Sequence, residues 1–169
     1  EIAERQPGTS SSCVERHEKK PRRLRTVEPT GGLYFPGAAI GRLLREAGGS
    51  HKMKGSRKAV KYIVPAAVLV LDDAVSLLDD DGKPMKDFEV DSRPVTIPAT
   101  KGRIMRHRPR IDEWRARFIL RVNEAILGEA FVQQLLVEGS MQIGIGDYRP
   151  EKGGPFGTFR VVKWTRRNS

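Results

Sequence analysis

The sequence predicts an α+β fold: a ferredoxin-like (RRM-like) core that carries an inserted basic β-hairpin, or thumb. Three observations lead there. Apolar residues recur at helical spacing in two places, Ile40/Leu43/Leu44 and Leu127/Phe131/Leu135. Between them, Trp114, Ala116, Phe118, Leu120 and Val122 alternate with Arg115, Arg117, Ile119 and Arg121, the period of a strand with one buried face. In chain order the elements read helix, strand, inserted hairpin, strand, helix, loop, strand. With an initial strand in or before the N-terminal arm, that order becomes βαββαβ.

Residues 1–32 are polar, with "PGTSSS" and "EKKPRRLR" and no apolar repeat at either period, which reads as a mobile or extended arm. Its cluster Lys19, Lys20, Arg22, Arg23 and Arg25 suits a nucleic-acid tail or a solvated linker. No apolar first strand is evident before residue 33. In "GLYFPGAAIGRLLREAGG", Leu33–Phe35 is extended and Pro36 suits a first helical turn. Arg42 and Arg45 lie off the apolar face, and Gly48 and Gly49 supply the stop. "SHKMKGSRKAVK" then holds Lys52, Lys54, Arg57, Lys58 and Lys61 without an acid; a counter-charged partner relieves such crowding. "IVPAAVLVL" (Ile63–Leu71) suits a buried strand inside an extended Tyr62–Leu71 segment.

Residues 72–88 are acidic and marked by Gly and Pro. "DDDG" lacks the spacing and the closing Glu of a calcium loop, so an exposed turn is preferred. "EVDSRPVTIP" reads as a Pro-broken edge strand or projecting loop. "KGRIMRHRPRI" and "DEWRARFILRV" read as the two arms of a hairpin, the first adding Lys101, Arg103, Arg106, His107, Arg108 and Arg110. A ladder of arginines on one strand face repels itself unless phosphates or carboxylates meet it. A second helix is expected from about Glu124 to Glu138, with Asn123 as N-cap and Gly139 as stop. A Gly-rich loop and a strand at Gly157–Trp164 follow. The chain thus divides into an arm (1–32), one domain (33–164) with an insertion at about 72–112, and a basic tail (165–169).

The 169 residues carry a formal net charge of +10, which favours polyanionic partners: nucleic acid first, an acidic membrane surface second. The single cysteine, Cys13, fits a reducing, cytoplasmic compartment and argues against a structural zinc; no metal or other cofactor is expected. No apolar run reaches membrane-spanning length and no signal peptide is visible. Nucleophile-elbow, Walker and zinc-deaminase motifs are absent. His107 is a weak candidate for a general acid in RNA cleavage, since it lacks an obvious acid–base partner.

"IGIGDYRPEKGGPFGTFRVVKW" (Ile143–Trp164) surrounds Asp147, Tyr148, Arg149 and Lys152 with glycines. A strand follows it where a dinucleotide site needs a helix. Two readings stand level. Backbone N–H groups at Gly153 and Gly154 could cradle a phosphate beside Arg149 and Lys152, with Tyr148 offered to a base. Alternatively, the glycines serve a conformationally demanding turn.

Two segments together resemble the RAMP superfamily, the RNA-binding proteins of CRISPR systems. "LYFPGAAIGRLLREAG" is similar to the family's early motif, with Phe35, Pro36, Gly37, Ile40, Gly41, Leu44 and Arg45 in comparable places. "IGIGDYRPEKGGPFGTFRV" is similar to its Gly-rich loop before the last strand, with Gly144, Gly146, Gly153, Gly154, Gly157 and Phe159 fitting the form. The resemblance covers about residues 33–164 and extends to short standalone phage and mobile-element proteins. It implies a ferredoxin-like fold and a non-catalytic subunit that grips guide-like single-stranded RNA as a homo-oligomer along the strand, alone or with other effector subunits. The hairpin would wedge between groups of bases. The expected phosphate contacts are Arg42, Arg45, Lys54, Arg57, Lys58, Lys61, Arg103, Arg106, Arg108, Arg115, Arg117, Arg149 and Lys152. Two other functions fit the composition: a metal-independent endoribonuclease using His107, and a phage single-stranded DNA-binding protein. A basic virion or scaffold protein is the bland alternative.

Overall fold

A computed structural model describes residues 31–97 and 99–166, and before them the backbone of five short strands. Those five are β1 (Ile2–Glu4), β2 (Ser11–Ser12), β3 (Arg16–His17), β4 (Lys20–Pro21) and β5 (Thr26–Val27). Then come β6 (Gly32–Pro36), α1 (Ala38–Ala47), the single-turn α2 (Val64–Ala67), β7 (Val68–Val70), β8 (Ala74–Leu78), β9 (Glu89–Thr96) and β10 (Arg103–Ile111). β11 (Arg115–Arg117), β12 (Leu120–Val122), α3 (Glu129–Gln142) and β13 (Arg160–Lys163) complete the order. Helices and antiparallel sheets are mixed, as an α+β protein requires.

The largest sheet runs β13-β1-β11-β8-β6-β5. β1 sits inside it, with Ala3 opposite Ala116 on one side and Val161 on the other. A strand thus lies in the arm, at Ile2–Glu4. Two of the sheet's inner strands bury alternate residues: Val75 and Leu77 in β8, Ala116 between the less buried Arg115 and Arg117 in β11. α1 contributes Ile40, Leu43 and Leu44, all fully buried, and α3 contributes Val132, Leu135 and Leu136. Together with Phe35, Trp114, Phe118 and Phe159 they form one core. Each such aliphatic side chain gains about 1.5–3 kcal/mol by leaving water. α1 and α3 touch at Gly139, where a Cβ would press on Leu43 and on the Ala47 Cβ. Glycine there lets the two helices approach closely.

Several expectations are corrected. The helix at 124–138 begins later, at Glu129, because Asn123 caps a preceding turn instead: its Oδ1 accepts the Ala125 N–H at 3.1 Å. The buried strand at Ile63–Leu71 is α2 followed by three residues of β7. Pro65 lies in the first turn of α2, where its missing N–H costs nothing, and Leu69 and Leu71 are exposed. The acidic segment 72–88 holds β8 and is not an exposed turn throughout. Its "DDDG" is a tight turn: Asp79 accepts from Gly82 N–H and, through Oδ1, from Lys83 N–H.

The hairpin arms are β9 and β10, in continuous register from Arg103↔Thr96 to Arg110↔Glu89. "KGRIMRHRPRI" therefore pairs with "EVDSRPVT", not with "DEWRARFILRV". The latter splits between two sheets, β11 joining β8 and β12 joining β7. The opposite edge of β10 receives β2 and β3, so the arm lies extended along the hairpin at those residues. Lys19, Arg22, Arg23, Arg25, Cys13 and residues 167–169 lie outside the described residues.

Candidate nucleic-acid interface

α1 ends in a 3-10 turn at Gly48–Ser50, and the chain then doubles back on itself. Met53 N–H donates to the Lys58 carbonyl at 2.9 Å, Val60 N–H to the His51 carbonyl at 2.8 Å, and Lys52 bridges Ala59. Ser56 Oγ accepts the Lys58 N–H, and Gly55 takes the left-handed conformation the tip needs. The result is a compact finger over residues 51–60. Lys52, Lys54, Arg57 and Lys58 are all exposed, and none makes an ion pair among the described residues. Lys61, half-buried at the base, lies over the Tyr62 ring. Four like charges on one finger, with no carboxylate drawn in, repel one another and attract an anion.

The Gly-rich loop behaves differently. Arg149 is a folded-in side chain, 13% exposed; it donates through Nε to Glu151 at 2.9 Å and through Nη1 to the Gly146 carbonyl at 2.8 Å. Arg42, on α1, reaches the same Glu151 oxygen at 2.6 Å. One carboxylate thus joins two arginines expected to face phosphate, and fastens the loop to α1. Partial burial pushes the Glu151 carboxyl up, but the hydrogen bonds from Arg42 and Arg149 outweigh it and hold the group below the ordinary glutamate range.

The loop's amides are also committed. Ile145, Lys152, Gly153, Gly154 and Phe156 N–H groups donate to the carbonyls of Gly157, Arg149, Pro150, Arg149 and Tyr148 respectively. A phosphate cradle needs such donors free. Gly144, Gly146, Gly153 and Gly157 all have positive φ. At Gly157 a Cβ would run into the Ile145 carbonyl oxygen. Of the two readings of this stretch, the structure favours the demanding turn. Gly154 is buried under Tyr148, while Lys152 and Gly153 face solvent.

Arg108 is the largest departure from expectation. It is a buried residue whose Nε lies 2.8 Å from Asp147 Oδ2, with 9% of the side chain exposed. Among the described residues neither atom has a hydrogen-bond partner, so the contact is an ion pair without a well-aligned hydrogen bond. Its guanidinium lies 6.0 Å from the Tyr148 ring, which packs edge-on against Phe156; Arg93 covers Phe156 at 4.9 Å. The hairpin and the Gly-rich loop are thereby joined by alternating cations and rings, and Tyr148 is half-buried.

The remaining candidates divide. Arg115 answers the Asp79–Gly82 turn, donating to the Asp80 carbonyl and pairing with its carboxylate at 3.2 Å. Arg45 pairs with its neighbour Glu46 but stays half-exposed. Arg103 and Arg117 are exposed; Arg106 is half-buried opposite Arg93. His107 is half-buried, and its Nδ1 lies 2.6 Å from the Ser92 Oγ directly across the hairpin.

Two features are absent from the sequence reading, a carboxylate partner for His51 and an exposed Tyr62. His51 Nε2 lies 2.6 Å from Glu138 Oε2, tying the finger to α3, with Gln134 donating to the other oxygen and Phe131 edge-on to the imidazole. The hydrogen bonds from His51 and then Gln134 hold the Glu138 carboxyl below the ordinary range. The other is Tyr62, 69% exposed. Its signal was present, an aromatic directly after the basic run, but the pattern of Ile63–Leu71 suggested a buried strand.

No family model matches the chain, and no curated protein matches its sequence. Among the described residues, no helix is long and apolar enough to cross a membrane, and no group of three or more His, Cys, Asp or Glu is placed to hold a metal ion.

Proposed function

We propose that this chain is a RAMP-like protein that binds single-stranded RNA by its phosphates, with copies repeating along the strand. The observation that carries this is the finger over residues 51–60, which presents Lys52, Lys54, Arg57 and Lys58 to solvent without an ion-pair partner among the described residues. Half-buried Lys61 at the base of the finger and the exposed Lys152, Arg103 and Arg117 extend the positive surface; Arg42, Arg108 and Arg149 serve the fold. The strand order β13-β1-β11-β8 supports a ferredoxin-like core, because α1 falls between β1 and β8 in the chain and α3 between β11 and β13. β9 and β10 form the inserted hairpin.

Fluorescence anisotropy of a labelled single-stranded RNA, titrated at several salt concentrations, tests this. Each phosphate contact on a single strand contributes about −0.7 to the slope of log affinity against log salt. Reversing Lys54, Arg57 and Lys58 to Glu should flatten the slope by about 2. An unchanged slope, or no binding by the wild type at low salt, refutes the assignment. Equal affinity for DNA of the same sequence points to the single-stranded DNA-binding alternative. RNA cleavage abolished by His107→Ala points to the endoribonuclease.

A further inference from the structure

We infer that Tyr62 is a stacking platform for one unpaired base, placed at the root of the basic finger. This rests on the RNA-binding reading and adds what the phosphate contacts lack, a means of telling a single strand from a duplex.

Among the described residues, Tyr62 is the only exposed Phe, Tyr or Trp. Phe35, Trp114, Phe118, Phe156 and Phe159 are buried. Tyr148, the aromatic favoured from sequence, is held edge-on by Phe156. Tyr62 closes a 3-10 turn over Val60–Tyr62 that directly follows the returning arm of the finger. Val60 points into the core at 3% exposure, which fixes the turn, and the Ile63 N–H donates to the Val60 carbonyl at 2.9 Å. The ring is therefore carried on anchored backbone, yet 69% exposed.

Its surroundings select the ligand. Lys61 Nζ lies 5.2 Å from the ring centroid. Residues 50–61 contain no acid, so a cationic peptide is repelled. A nucleotide satisfies both parts: its phosphate meets Lys61 and the finger, and its base covers the ring face. Single-stranded binders use this combination of basic groove and aromatic platform. In a duplex the bases are already stacked and hidden from such a ring.

The test uses the whole chain with two labelled RNA oligomers of equal length, one carrying bases and one abasic. Base–aromatic stacking predicts that Tyr62→Ala weakens binding of the base-bearing strand by about 5- to 150-fold. It should leave abasic binding and the salt slope unchanged, and Tyr62→Phe should retain most of the affinity. Because Tyr62 is exposed, a thermal melt of Tyr62→Ala should match the wild type. Wild-type binding with no loss in Tyr62→Ala overturns the platform and leaves the phosphate reading standing. An equal loss on both strands also overturns it. Failure of the wild type to bind either strand overturns both.

Discussion

Replacing Asp147 by Asn leaves the Arg108 guanidinium inside the protein without its counter-charge. Breaking a buried ion pair from one side typically costs about 3–5 kcal/mol. Here the Asp147 side chain is 38% exposed, so water reaches the vacated side and lowers the cost. We expect a loss of about 2–3 kcal/mol, or roughly 4–12 °C in Tm for a domain of this size. The contact has no well-aligned hydrogen bond to compensate its desolvation. Removing the stranded cation as well, in Arg108→Met/Asp147→Asn, should therefore recover at least half of the loss. Urea unfolding followed by the fluorescence of the buried Trp114 measures both variants. Asp147→Asn within about 0.5 kcal/mol of wild type would refute the reasoning, because surface substitutions behave that way. So would a double variant no more stable than Asp147→Asn itself.

Gly157→Ala should destabilise by more than about 2 kcal/mol, because left-handed backbone alone costs about 1–2 kcal/mol for a residue with a Cβ and the Ile145 carbonyl blocks that Cβ. Gly153→Ala, at φ 75° but in open space, should show only the backbone cost; equal losses in thermal melts would discount the steric argument. Glu138→Gln tests the tie from finger to α3. The native carboxyl titrates below its unfolded value, so its contribution to stability is present above about pH 4.3 and fades as the pH falls through the native value. The stability gap between wild type and Glu138→Gln should hold above about pH 5 and close as the pH falls below about 4.3, and a gap that stays constant into acid contradicts the assignment.

The helices were legible because their apolar spacing is sustained: Ile40, Leu43 and Leu44 are all fully buried. The alternation from Trp114 to Val122 was legible too, since Trp114, Ala116 and Phe118 are buried while Arg117, Ile119 and Arg121 are exposed. Strand pairing was not. A two-residue-period pattern says which face is buried but not which neighbour supplies the hydrogen bonds, and β10 found β9 instead of the segment after it. β8 escaped because only Val75 and Leu77 are apolar and buried within a run of acids. The site was the least legible part. A charge count cannot distinguish a cation for a ligand from a cation for the fold when its partner is remote: Arg42 meets Glu151 and Arg108 meets Asp147. Lys54, Arg57 and Lys58 stayed available because their own hairpin is short and contains no carboxylate.

The place of Ile2–Glu4 within the largest sheet bears on how the chain is made. Both edges of that strand are covered by segments that leave the ribosome much later, β11 and then β13. Until Lys163 has emerged, β11 and β1 can pair but one edge of β1 stays uncovered. Unpaired edges invite association with other nascent chains, and pairing across long stretches of sequence is slow. α1 and the basic finger depend on neither strand for their hydrogen bonds and can form early. A product ending before Arg160 would expose a central strand, so translation that stops in the Gly-rich loop should yield aggregate rather than a shortened working protein.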